Sequence, residues 1–139
     1  MTEKIQSEVN QIIAELALQD YVKTIGYVSQ EEKVALIKSS IGFSFVSLYE
    51  GFGLPILEAQ SLGVPVITAN QSAMPEIAGD AAILVDPYDI NSIAQGMKSL
   101  VELTSAEKKI ATYRVKNNLN RFSWQGSATV LMDILKRSI

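Results

Sequence analysis

The sequence predicts an α/β fold built on a parallel sheet, and two observations carry that expectation. Short apolar runs alternate with helical stretches at intervals of ~15–20 residues. The runs are also continuously apolar rather than alternating, which is how strands covered on both faces read. No repeat, low-complexity tract or linker interrupts the pattern, so residues 1–139 read as one domain. The expected sheet has about four strands with flanking helices.

Each element follows from local signals. Ile5, Val9, Ile12, Ile13 and Leu16 fall at helical spacing and predict an amphipathic helix over about residues 3–18. The run "YVKTIG" (21–26) reads as a short buried strand ended by Gly26. Ser29 and Glu32 have capping-box spacing and open a helix to about Lys38. "IGFSFV" (41–46) is the second strand, Pro55 opens a helix through about Leu62, and Gly63 closes it. "PVIT" (65–68) is the third strand, a helical turn falls near Pro75–Ala78, and "AAILV" (81–85) is the fourth. Asp89, Ser105 and Ser123 are the expected caps of three further helices, over about 90–103, 105–120 and 123–137.

Composition narrows the chemistry. The chain has neither cysteine nor histidine, which removes disulfides, thiol nucleophiles, the usual zinc ligands and the commonest general base. The start "MTEKIQSEVNQ" is too charged for a signal-peptide core, and no stretch approaches the ~18 apolar residues of a spanning helix; the expected location is cytoplasmic. Residues 1–90 hold 4 Lys/Arg against 12 Asp/Glu, whereas residues 91–139 hold 8 against 3. So acidic a body is a poor nucleic-acid binder. The basic last third reads as a solvated helix face or as a surface for weak contact with an anionic membrane.

The stretch "LYEGFGLPILEA" (48–59) carries the functional signal. It is a strand-to-helix junction, the place where open α/β sheets bind ligands. Gly51 and Gly53 permit a tight turn without Cβ atoms, and Leu54 with the residues after it would offer N–H groups and the helix dipole to a phosphate. Glu50 and Glu58 flank the turn, and carboxylates suit the paired hydroxyls of a ribose or hexose. Phosphate on amides with hydroxyls on carboxylates describes a nucleotide-sugar. Spacing alone leaves a second reading open, a plain turn whose Glu58 is favoured by the helix dipole. "GFGLPI" matches G-x-G-x-x-G only in part, because Ile56 stands where the third glycine would be.

"EGFGLPILEA", with seven residues between Glu50 and Glu58, resembles the E-x7-E motif of GT-B retaining glycosyltransferases of the GT4 type. The segments "GYVSQEEKVALIKSS" (26–40), "SLGVPVITANQSAMPEIAGDAAILVDPYD" (61–89) and "RFSWQGSA" (121–128) resemble the flanking parts of the same family. The resemblance implies a Rossmann-like fold, the partial C-terminal, donor-binding domain of such an enzyme. It implies transfer of a sugar, with retention, from a nucleotide-diphosphate sugar such as a UDP- or GDP-sugar to an acceptor hydroxyl, a hexosyltransferase reaction with no metal. Glu50 would hold donor-sugar hydroxyls near the reacting centre. Gly51, Phe52, Gly53 and Leu54 would present backbone amides, Glu58 would bind the ribose diol, and Gly26 and Tyr27 would lie near the base. For Tyr27, packing at a strand end is the competing reading, and Pro75 and Glu76 read as structural.

The resemblance stops short of the family's N-terminal acceptor domain and of the opening strand, helix and strand of its donor domain. Those two strands would lie between the 22–25 and 42–46 strands, so these must pair directly or each leave an open apolar edge. The expectation is a rearranged chain, a homo-oligomer through an exposed strand, or one piece of a split enzyme joined by the missing acceptor domain. Catalysis by the chain alone is therefore not expected. A non-catalytic nucleotide-binding module and an assembly fragment that binds no nucleotide remain as other readings, with a sugar-nucleotide epimerase of the same overall fold as a further one.

Overall fold

The computed structural model describes residues 3–137, and the chain divides into two units, one through Lys33 and one from Val34 onward. In the first unit, helix α1 spans Glu3–Glu15. It stops short of residue 18 because Ala17 turns left-handed (φ 52°) and the N–H groups of Ala17 and Leu18 bond back to the carbonyls of Ala14 and Ile13. That is a Schellman closure, with alanine where glycine is usual.

The strand expected at 21–26 does not form. Tyr21 and Val22 donate their N–H groups to the Leu18 carbonyl, residues 22–26 have no regular structure, and Tyr21, Val22 and Ile25 are exposed. A strand exists only by its ladder, and no described strand pairs with this run. The sheet therefore has three strands among the described residues rather than about four. Helix α2, Gln30–Ser39, does carry the expected capping box. The Ser29 N–H donates to Glu32 Oε2 (2.8 Å) and the Glu32 N–H to Ser29 Oγ (3.2 Å).

The second unit holds the parallel sheet β1 (Phe43–Phe45), β2 (Val66–Ala69) and β3 (Ala82–Val85), in that spatial order. Phe43 pairs with Val66, and Val66 in turn with Ala82. The connecting helices are α3 (Leu54–Ser61), the short α4 (Met74–Ala78), α5 (Ile90–Val101), α6 (Ser105–Leu119) and α7 (Trp124–Arg137). All lie within a few residues of expectation. Consecutive residues of β2 enter different clusters, Val66 with Ile56 and Ala59 of α3, and Ile67 with Leu100 of α5. Since neighbouring strand residues point to opposite faces, the sheet is covered on both, as its continuous apolar runs require. Gly96 lets α5 close on β3, because a Cβ there would lie 2.5 Å from Val85 Cγ1.

The caps refine the sequence reading. Asp89 Oδ1 accepts the Asn91 N–H (2.9 Å), and Ser123 Oγ accepts the Gly126 N–H (3.0 Å), both as expected. Helix α6 is capped by Thr104 rather than Ser105. The reason is spacing: only Thr104 has a glutamate three residues on, and Thr104 and Glu107 make both bonds of a capping box.

A buried polar relay ties the helices together. Asn118 Nδ2 donates to Gln60 Oε1 and to the Ile77 carbonyl (both 2.8 Å), and Gln60 Nε2 donates to the Ala78 carbonyl (3.2 Å). Arg121 Nη1 donates to Asn118 Oδ1 (2.8 Å), so no buried side-chain polar atom among the described residues lacks a partner. Such a relay specifies how α3, α4 and α6 meet, because any other packing would strand its amides.

Candidate functional site

The carboxyl ends of β1 and β2 open into two loops, residues 46–53 before α3 and residues 70–73 before α4. Gly53 is the N-cap of α3, and its φ of 99° is a conformation that L side chains rarely adopt. A Cβ there would also press to 3.2 Å from Ile56 Cδ1, so that side chain would have to give way as well. The phosphate seat is narrower than a generic helix start. Pro55 has no N–H, and the Ile56 N–H is spent on the Gly53 carbonyl (3.0 Å), which leaves the N–H of Leu54, an exposed residue, as the first-turn donor.

Glu50 is half-buried at the mouth of the first loop, and its Oε1 accepts the Ser47 hydroxyl (3.0 Å). Its main chain is held from the second loop. The Glu50 N–H donates to Ser72 Oγ (3.3 Å), and the same hydroxyl donates to the Glu50 carbonyl (2.8 Å). Gln71 Nε2 donates to the Leu48 carbonyl (2.5 Å), and Thr68 Oγ1 to that of Phe45 (2.8 Å). Glu58 is half-buried on α3. Gly51 and Phe52 are exposed at the turn, and the Phe52 ring meets Phe122 edge-on at 5.9 Å with Arg121 over the latter's face. That contact anchors the turn to the α6–α7 corner.

The second unit therefore places Glu50, Gly51, Phe52, Gly53, Leu54 and Glu58 on one strand–loop–helix segment. Gly26 and Tyr27 belong to the first unit, where Gly26 is left-handed (φ 66°) and Tyr27 is 99% exposed. Packing at a strand end thus does not account for Tyr27. Pro75 sits in the first turn of α4 as a structural residue would, and Glu76 is exposed beside it. The sequence reading missed Ser47, Gln71 and Ser72. Ser47 was within reach, since Ser-x-x-Glu is a spacing at which a hydroxyl meets a carboxylate; nothing local marks Ser72.

A cavity of about 540 Å³ opens at the other end of the sheet, against Ile41, Pro65, Ala82 and the α6 residues Ile110 and Val115. It lies at the amino ends of the strands, whereas ligands of open α/β sheets lie at the carboxyl ends. The loops, not this cavity, carry the candidate site. No group of three or more Asp or Glu among the described residues is placed to hold a metal ion, and no described helix is long and apolar enough to cross a membrane.

Fold and loops together are those of a Rossmann-like α/β domain of the glycosyltransferase type. The chain belongs to the family of glycosyl transferases group 1, whose model matches residues 3–117. It is 36% identical over 127 residues to the O-antigen chain mannosyltransferase B of Escherichia coli, covering 91% of this chain and 33% of that one. It is 31% identical over 131 residues to the MMP alpha-(1->4)-mannosyltransferase of Mycolicibacterium hassiacum, covering 92% of this chain and 32% of the relative. The chain thus spans about a third of the length of these relatives. Its fold matches that of Anabaena Alr3699/HepE, solved in complex with UDP and glucose, with a TM-score of 0.85 at 22% identity over 97% of this chain and 37% of that one.

Proposed function

We propose that this chain is the donor-binding part of a retaining glycosyltransferase and takes a nucleoside diphosphate sugar at the carboxyl ends of β1 and β2. One observation carries the reading: the glycine turn at 51–53 stands between two half-buried glutamates, of which Glu50 is held by three hydrogen bonds, one to its carboxylate and two to its main chain. These bonds fix where the carboxylate stands beside the turn, as a residue that must meet a ligand requires. Glu50 accepts hydroxyls of the donor sugar, and Glu58 accepts the ribose diol. The amides of Gly51 to Leu54 meet the sugar and the diphosphate. The donor is a UDP- or GDP-sugar, in keeping with the mannosyltransferase relatives and the UDP and glucose of the Anabaena structure.

Transfer to an acceptor hydroxyl then rests on positioning the donor and on stabilising the departing diphosphate with oriented donors; no metal is required. The acceptor side is supplied by a further domain, corresponding to the relatives' other two thirds, so the chain alone binds donor without turning it over. Among the described strands β1 pairs only with β2, and its free edge is where that additional structure or a second copy joins.

An amide NMR titration with UDP, GDP, UDP-glucose and GDP-mannose tests the site. The resonances of Gly51, Gly53 and Leu54 are expected to shift. A well-dispersed spectrum that ignores every nucleotide contradicts the donor-site reading and favours an assembly fragment.

A further inference from the structure

We infer that Ser72 is a positioning residue of this site: its hydroxyl fixes the main chain of Glu50, and Ser47 aims the carboxylate of the same residue. The inference rests on the donor-site reading of Glu50. Ser72 is one of two non-glycine residues with positive φ among those described (58°, with Ala17). A Cβ makes that conformation unfavourable, and glycine would adopt it without penalty. Backbone geometry therefore does not explain a serine there, but the hydroxyl does.

That hydroxyl is used twice on a single residue, accepting the Glu50 N–H and donating to the Glu50 carbonyl. It works within a wider pattern. Thr68, Gln71 and Ser72, at the end of β2 and in the loop after it, reach by side chain to the main chain at Phe45, Leu48 and Glu50. The second loop is thus a template on which the first is laid. Its last contact falls on the residue that meets the sugar. Ser47 completes the arrangement from within the first loop, with its 3.0 Å bond to Glu50 Oε1. Placing a carboxylate to within about 0.5 Å of a ligand's hydroxyls needs this kind of support around it. The consequence is selective: loosening Ser72 weakens contacts to the sugar and leaves those to the nucleotide, which Glu58 and the helix start provide.

The test compares wild type with Ser72→Gly, Ser72→Ala and Ser47→Ala in the 139-residue chain. Calorimetry measures affinity for UDP, UDP-glucose, GDP and GDP-mannose, and hydrogen exchange is followed at the Glu50 amide without ligand. Ser72→Gly removes the hydroxyl while relieving the backbone, so the fold is kept. Both Ser72 variants are expected to lower the preference for sugar nucleotide over bare nucleotide about fivefold or more, as loss of one or two hydrogen bonds implies. Glu50 amide exchange should accelerate about tenfold in both. Ser47→Ala should lower the sugar preference and leave that amide unchanged. A Ser72→Gly chain with wild-type sugar preference and wild-type exchange at Glu50 overturns the inference. If wild type binds no nucleotide, the donor-site reading falls instead, and exchange at Glu50 in Ser72→Gly alone decides whether the clamp exists.

Discussion

Residues 21–27 and 41–53 look alike as sequence. Each is an apolar run leading to glycine and carrying residues expected at a ligand, yet the two fold differently. The second run becomes β1 and a loop held by side chains from a neighbouring segment; the first stays irregular and exposed, with Ile25 at 58%. Hydropathy is common to both. The difference is a partner: β1 lies in register with β2, from Phe43 against Val66 to Phe45 against Thr68, while no described strand accepts the ladder of residues 21–26. A short apolar run states a capacity for burial, and the ladder decides whether it is used.

That comparison can be pressed hardest in the core. Ile67, 2% exposed between sheet and α5, should lose about 2–5 kcal/mol on substitution by alanine, whereas Ile25→Ala should stay within about 0.5 kcal/mol. Urea denaturation of the two variants reads the contrast directly, and equal losses would show that residues 21–26 are buried after all. The relay comes next. Asn118→Ala leaves Gln60 Oε1 and the Ile77 carbonyl without their donor and should cost about 1–3 kcal/mol. A neutral result by the same denaturation would mean that water replaces the side chain.

The glycines give a smaller contrast of the same kind. Both Gly26 and Gly53 have positive φ, but a Cβ at Gly26 meets nothing within 4 Å, whereas at Gly53 it crowds Ile56. Gly26→Ala should cost about 1 kcal/mol for the backbone alone, and Gly53→Ala distinctly more, as melting of the two variants would show.

The smallest effects belong to the exposed capping boxes. The Ser29 backbone N–H, followed by its hydroxyl, holds Glu32 below the ordinary carboxylate range; at Glu107 the Thr104 hydroxyl leads and its N–H follows. A lowered folded pKa means stabilisation that is present above the unfolded value and lost as pH falls through the folded one. Glu32→Gln and Glu107→Gln should therefore each lower stability slightly at neutral pH, converge on wild type in acid, and so flatten the acid limb of the stability profile. Unaltered acid limbs in melting scans against pH would contradict this.

What was legible in the sequence was whatever short-range spacing encodes. The Ser29–Glu32 box, the Asp89 cap, the glycine turn at 51–53 and the parallel sheet's apolar runs are all local patterns, and each is present. Thr104 was legible too, through its spacing to Glu107, but Ser105 drew the cap because it stands next to the helical stretch. Ser72 was not legible. Its bonds run to a residue 22 positions away, and nothing about a serine announces a left-handed backbone. The grip on Glu50 arises only when two loops are brought side by side by β1–β2 pairing, which is tertiary information. For the same reason the strand at 21–26 was over-read.

The most direct measurement of the central claim is calorimetric titration of wild type, Glu50→Ala and Glu58→Ala with UDP, GDP and their sugar conjugates. Two carboxylates gripping different parts of one ligand should fail differently. Glu58→Ala should weaken bare and conjugated nucleotide alike, by about tenfold or more for a charge-assisted pair of hydrogen bonds. Glu50→Ala should leave bare nucleotide untouched and remove the gain contributed by the sugar. If both substitutions leave every affinity at the wild-type value, the glutamates flank a turn and nothing more, and the donor site lies elsewhere.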